Sequence, residues 1–94
     1  MADGPTPVQP INAAGEPVGG TVDAYQHTPL TTAAVTVWAG GETTFVNGGP
    51  VVVVGGTRRA VDRLVGLGDY AMRDGDRFWA EPADGFYQRY RRAG

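Results

Sequence analysis

Thr43-Thr44-Phe45-Val46-Asn47-Gly48-Gly49-Pro50-Val51-Val52-Val53-Val54 is the stretch that sets the reading of the whole chain. Asn47 and Gly48 tolerate the positive φ of a tight hairpin turn, and the β-branched runs on either side fit paired strands. Pro50, as the first residue of the second run, is tolerated there. Further along, Asp69 to Arg73 and Arg77 to Ala80 flank Asp74-Gly75-Asp76, which reads as a second hairpin. Upstream, the alternation from Ala33 to Ala39 predicts one more strand, with Gly40-Gly41-Glu42 as the turn that feeds Thr43.

Two short helices complete this half of the chain. Thr57 can cap one in which Val61, Leu64 and Val65 share a face and Gly66 is the stop. Pro82 opens a last helical turn or two, where Phe86 and Tyr90, four residues apart, can close onto the sheet. Trp38, Tyr70, Phe78 and Trp79 are the large core candidates. The expected fold is mainly β, a small α+β protein in which residues 31–94 form a compact β-rich domain of two hairpins with one or two short helices.

Residues 1–30 read differently. Five of the seven prolines (Pro5, Pro7, Pro10, Pro17 and Pro29) lie there beside Gly4, Gly15, Gly19 and Gly20. Such a segment resists helix and central strand. Its apolar residues Val8, Ile11, Val18, Val22 and Tyr25 follow no sustained period, so the reading is an extended N-terminal arm that uses these five side chains to bind a partner. His27 is expected at the surface. Deleting residues 1–20 is expected to leave the domain folded.

The 94 residues carry no Cys, Lys or Ser and a single His, with a formal charge of -2. That excludes disulfides, thiolate metal sites and every Ser-His-Asp or Cys-His relay. An enzyme is not expected, nor is a cofactor. All eight basic residues are Arg, which with the abundance of Gly, Ala and Val points to a GC-rich genome. No secretory signal precedes the chain's first strand, and its longest valine run is far short of the ~20 apolar residues of a membrane helix, so no membrane role is expected. Charge is unevenly spread: residues 1–50 have four carboxylates and no Arg, while residues 51–94 have eight Arg and six carboxylates. This asymmetry permits contacts between neighbouring copies.

Three constellations invite a chemical reading. Gly55-Gly56-Thr57-Arg58-Arg59 could hold an anion at a strand-to-helix turn, though it lacks the lysine and spacing of a P-loop. Asp69, Asp74 and Asp76 are dense, but a calcium loop needs further oxygens in set order, and Asp and Gly belong in turns anyway, so no metal is expected. Phe86-Tyr87-Gln88-Arg89-Tyr90-Arg91-Arg92 interleaves aromatics with cations, as single-stranded nucleic-acid binders do. The acidic total weighs against that, and Arg58, Arg59, Arg89, Arg91 and Arg92 are expected to contact an anion or an acidic protein partner.

The segment Leu67-Gly68-Asp69-Tyr70-Ala71-Met72-Arg73-Asp74-Gly75-Asp76-Arg77-Phe78-Trp79-Ala80-Glu81-Pro82, followed by Phe86 and Tyr90, resembles a small module of tailed-phage proteins. The shared pattern is Gly-Asp, an aromatic, two apolar residues, Arg, a turn, an aromatic pair, then Pro followed by Phe and Tyr. Ala71 and Met72 replace a bulkier β-branched pair, and Phe86 comes one residue late. The resemblance implies a phage setting and carries no catalytic residue. Within that setting, the expected function is a structural virion protein that binds the capsid shell non-covalently through its arm, as a decoration, cement or minor capsid protein. Its partners would be the major capsid protein or other virion proteins, and it would act as a homo-oligomer or in many copies. The alternative is a head-to-tail connector or nucleic-acid-contacting accessory protein using the Arg-rich C-terminus.

Overall fold

The computed structural model describes residues 4–54 and 64–93. It is mainly β, with two antiparallel sheets and two short helices. The larger sheet orders its strands β7-β6-β2-β1-β8: β1 is Thr6–Pro10, β2 Val22–Gln26, β6 Tyr70–Asp74, β7 Arg77–Glu81 and β8 Tyr90–Arg92. The smaller sheet orders β3 (Glu42–Val46), β4 (Gly49–Val53) and β5 (Leu64–Val65). Helix α1 is Thr32–Trp38 and α2 is Phe86–Arg89.

Both hairpins form where the turn chemistry places them. Asn47 (φ 52°) and Gly48 (φ 80°) make the two-residue loop between β3 and β4, the paired positive φ values of a type I′ turn. Phe45 stands opposite Pro50. Val46 and Gly49 close the loop and so exchange both main-chain bonds, which leaves Phe45–Pro50 as the non-bonded pair where no N–H is required of proline. Gly75 (φ 62°) starts the other two-residue loop, with Asp74 opposite Arg77.

The arm does not stand apart from the domain. Residues 6–10 and 22–26 are the second and third strands from one edge of the five-stranded sheet, so the predicted boundary near residue 30 is corrected. The prolines fit because each points its nitrogen away from a needed bond. In antiparallel pairing a residue's N–H and C=O leave on the same side. The Pro7 carbonyl accepts from Ala93 N (3.0 Å), so its nitrogen faces the very end of β8; the Pro10 carbonyl accepts from Val18 N (2.9 Å), where the β1–β2 connection has begun. That connection is tied by Asn12, whose Oδ1 accepts from Ala14 N and Glu16 N, both at 3.0 Å.

Alternation along these strands divides the apolar residues between two faces. One face gives Val8, Ala24, Met72 and Tyr90 to a core closed by Phe86 of α2, with Val22, Tyr70 and Trp79 at its margin. The other gives Tyr25 and Ala71 to a core with Val35 and Ala39 from the α1 segment and Val52, Val54 and Val65 from the smaller sheet. Trp38 packs edge-on between Tyr25 and Phe78, at centroid distances of 5.5 and 6.4 Å. Trp38, Tyr70, Phe78 and Trp79 are thus core-packed as expected.

Ala33 to Ala39 forms α1 and not a strand. Thr31, Val35 and Ala39 are buried at intervals of four, and the segment is closed at its C-terminal end by glycines. Before it, Thr28 Oγ1 accepts from Leu30 N (3.2 Å) and Thr31 Oγ1 accepts from Thr28 N (2.8 Å), closing a turn through Pro29 that leads into the N-cap Thr31. At the other end Gly40 (φ 60°) donates to Val37 O (3.1 Å) and Gly41 to Thr36 O (3.0 Å), a Schellman cap. Gly41 also passes so close to β4 that a Cβ there would lie 2.8 Å from the Val53 carbonyl carbon and nearer still to its oxygen.

Three more expectations change. Most of the helix predicted from Thr57, including Val61, lies outside the described residues, but Leu64 and Val65 are extended in β5 opposite Val53 and Val52. Pro82 does not open α2, which is one turn beginning at Phe86 after Gly85 (φ 71°). His27 is fully buried: its Nδ1 lies 2.8 Å from Val65 O and its Nε2 2.8 Å from Thr32 Oγ1. A carbonyl only accepts, so Nδ1 carries the proton, and the imidazole ties the β2–α1 turn to β5.

Candidate functional site

Among the described residues no group of His, Cys, Asp or Glu is arranged to hold a metal ion, and no helix is long and apolar enough to cross a membrane. Asp69, Asp74 and Asp76 serve turns: Asp69 Oδ1 accepts from Ala83 N (2.9 Å), and the other two bracket Gly75. The side chains left for function lie on two surfaces.

The first is apolar. Helix α1 has no charged residue, and while Val35 and Ala39 face the core, Leu30, Ala33, Ala34 and Val37 face outward. Leu30 is 88% exposed and Val37 82%. A surface helix ordinarily shows a polar face to water, and one apolar on both sides is built for burial. Beside it runs β3, joined through Thr36 Oγ1 to Thr43 Oγ1 at 2.7 Å, with all five of its residues exposed and Phe45 at 70%. Among the described residues β3 pairs with β4 alone. Because Thr43 and Phe45 form non-bonded pairs with β4, both direct their N–H and C=O to this open edge, which carries no Lys or Pro to discourage another strand.

The second surface belongs to the C-terminal segment. Phe86 is stacked between Tyr70 (3.8 Å, 12°) and Tyr90 (5.0 Å, 19°), while Tyr87 stands edge-on to Tyr70 and Phe86 and is half exposed. Glu81 fastens the group: its carboxylate accepts from Trp79 Nε1 (3.0 Å), Tyr90 OH (2.9 Å) and Arg89 (3.3 Å). Arg89 donates also to Pro82 O and Asp84 O, each at 3.0 Å, and so is withdrawn from the expected cationic set. Arg91 and Arg92 remain exposed on the edge strand β8, on opposite faces. Arg58 and Arg59 lie outside the described residues, as does the Gly55-Gly56-Thr57 turn.

Burial, hydrogen bonding to Tyr87 and that hydroxyl's charge push the Tyr70 phenol from 10.0 up to about 12, against the pull of Arg92. Burial and the Glu81 carboxylate raise Tyr90 to about 12, against weaker opposition from Trp79 and Arg89. The fold therefore favours the neutral phenols, and their contribution to stability is complete below pH 10 and lost as the pH rises from 10 through about 12. Melting temperature should fall across that window, in step with tyrosinate absorbance. A Tm indifferent to pH there would contradict it.

The five side chains assigned to partner binding by the arm divide. Val8 and Tyr25 are buried in opposite cores and Val22 packs at the margin of one. Ile11 forms an isolated bridge with Pro17, and Val18 is 54% exposed. The apolar side of α1 was hidden from sequence reasoning by the strand reading of Ala33 to Ala39; the Thr28-Pro29 turn before it and the Gly40-Gly41 stop after it were the signals that could have revealed it. No protein-family model, curated protein or solved structure matches this chain.

Proposed function

We propose that this chain is a non-enzymatic binding protein of a tailed-phage particle, a head decoration or minor capsid protein held by non-covalent contacts in many copies. The phage setting is supported by the resemblance of Leu67 to Tyr90, a segment that here comprises β6, β7, α2 and the first residue of β8. The binding role is supported by one observation above all, the uncharged helix α1 with Leu30, Ala33, Ala34 and Val37 on its outer side. Attachment accordingly passes from an arm to α1 and the neighbouring β3 edge, where a partner strand could add to the sheet. Hot spots of this kind gather around exposed apolar anchors, and Val37 and Phe45 are the two to test.

Val37→Glu and Phe45→Glu should each leave the Tm nearly unchanged, since surface substitutions cost at most about 0.5 kcal/mol. Each should cut the amount of chain retained on purified particles at least about tenfold. Wild-type occupancy by both variants would remove α1 and β3 from the interface. Absence of the native chain from particles, measured by mass spectrometry against the major shell protein, would remove the virion reading itself.

The second reading, a connector or nucleic-acid-contacting protein, is favoured by Arg91 and Arg92 standing exposed on edge strand β8, with Arg92 lining the same cleft as Tyr87. It requires DNA binding that weakens steeply with salt and with Ala at both positions.

A further inference from the structure

A cleft of about 300 Å³ opens on the α2 side of the large sheet, lined by Thr6 and Val8 of β1, Ala24 and Gln26 of β2, Tyr70, Tyr87 and Arg92 among others. Val8 and Ala24 lie at its base but are almost wholly buried, so its exposed lining is mostly polar, and one wall is the half-exposed ring of Tyr87. The Gln26 amide is already committed to Gly68 O (3.0 Å), and Thr31 Oγ1 to Gln26 O (2.8 Å). The Thr6 hydroxyl donates to Gly4 O (3.5 Å) and the Tyr70 and Tyr87 hydroxyls are bonded to each other, so the Arg92 guanidinium is the charged group of the described lining that can meet a guest. Among the described lining residues there is no carboxylate, and the described ion pair of this region belongs to Arg89 and Glu81.

We propose that this cleft is a binding site for a small organic carboxylate, its charged end on Arg92 and its body against the half-exposed Tyr87 ring. A planar guanidinium pairs two parallel N–H groups with a carboxylate, and one such fork matches one negative charge. A phosphate dianion would need a second cation, which the described lining does not supply. Tyr70, held neutral up to about pH 12, brings no negative charge to the cleft at physiological pH. At about 300 Å³ the space is at the small end of ligand sites and suits one ring or a short aliphatic chain. This assignment is independent of the particle reading, because none of Leu30, Ala33, Ala34, Val37 and Phe45 lines the cleft.

Benzoate is the probe, followed by backbone amide NMR on the full chain. It should shift the amides of Thr6, Gln26, Tyr70 and Tyr87 with a Kd in the millimolar range, of order 1 to 10 mM. Arg92→Gln should weaken it at least about tenfold, as should replacement of benzoate by its neutral methyl ester. Arg91→Gln, one residue away on the other face of β8, should leave it unchanged and so separates a site from a general charge effect. The proposal is overturned if benzoate leaves these amides unmoved at about 50 mM, if both arginine variants weaken it equally, or if inorganic phosphate binds as tightly. A glutamate-ended peptide, compared with free benzoate, tells whether the carboxylate arrives on a protein or as a free acid; either source keeps the chemistry.

Discussion

A chain lacking residues 1–20 is expected to lose its cooperative fold altogether. The truncation removes β1, against which β8 has its only described pairing, so the sheet is cut and β8 is left without a neighbour. It also takes away Val8, a 1%-exposed side chain whose burial is worth roughly 1.5–3 kcal/mol, and opens Ala24 and Met72 to water. Detaching β8 draws Tyr90 away from Phe86 and Glu81. Domains of this size have about 5–14 kcal/mol in total, and the combined loss consumes most or all of it. Thermal melting followed by circular dichroism reads the result: no sigmoidal transition is expected. A truncated chain that melts cooperatively within about 5 °C of the full one would show that β1 is dispensable and restore the arm.

The second large effect is expected at a single hydrogen atom. Gly41→Ala places a methyl group on the Val53 carbonyl, and neither backbone can retreat: Gly41 is held by its bond to Thr36 O, and Val53 is paired with both Glu42 and Leu64. Relief requires α1 to shift against the smaller sheet, disturbing Val35 and Ala39 in the core. The cost should be about 3 kcal/mol or more, a fall in Tm of roughly 12 °C or more. Gly20→Ala is the control, because a Cβ there meets nothing within 4 Å and its φ is not in the left-handed region. Equal Tm values for the two variants would show that the approach of Gly41 to β4 is not tight in solution.

What was legible in the sequence was what is settled locally. Asn47-Gly48 and Gly75-Asp76 dictate their turns from within, so both hairpins could be placed, and Phe86 with Tyr90 could be paired by spacing. Ala33 to Ala39 could not, because Thr36, Val35 and Val37 favour a strand intrinsically and what favours the helix lies outside the run, the Thr28-Pro29 turn before it and the Gly40-Gly41 cap after it. For the prolines of β1 the missing information was direction: a proline is excluded from a sheet only when its nitrogen faces a partner N–H acceptor, and composition does not tell which way Pro7 and Pro10 point. The described arginines of the cationic set divide for a similar reason. Arg89, Arg91 and Arg92 look alike in sequence, yet Glu81 engages the first, and alternation sends the other two to opposite faces.

The pairing of β1 with β8 also has a consequence for synthesis. Of the two, β1 leaves the ribosome first and must wait for residues 90–92, and at ordinary elongation rates that delay is roughly 4–16 s. Throughout it the side of β1 destined for β8 is a bare edge, open to any extended segment of another nascent chain. Pro7 turns its nitrogen to that side, so the edge exposed longest offers one donor fewer to a wrong partner. A residue that composition marks as foreign to a central strand thereby guards it while it is still incomplete.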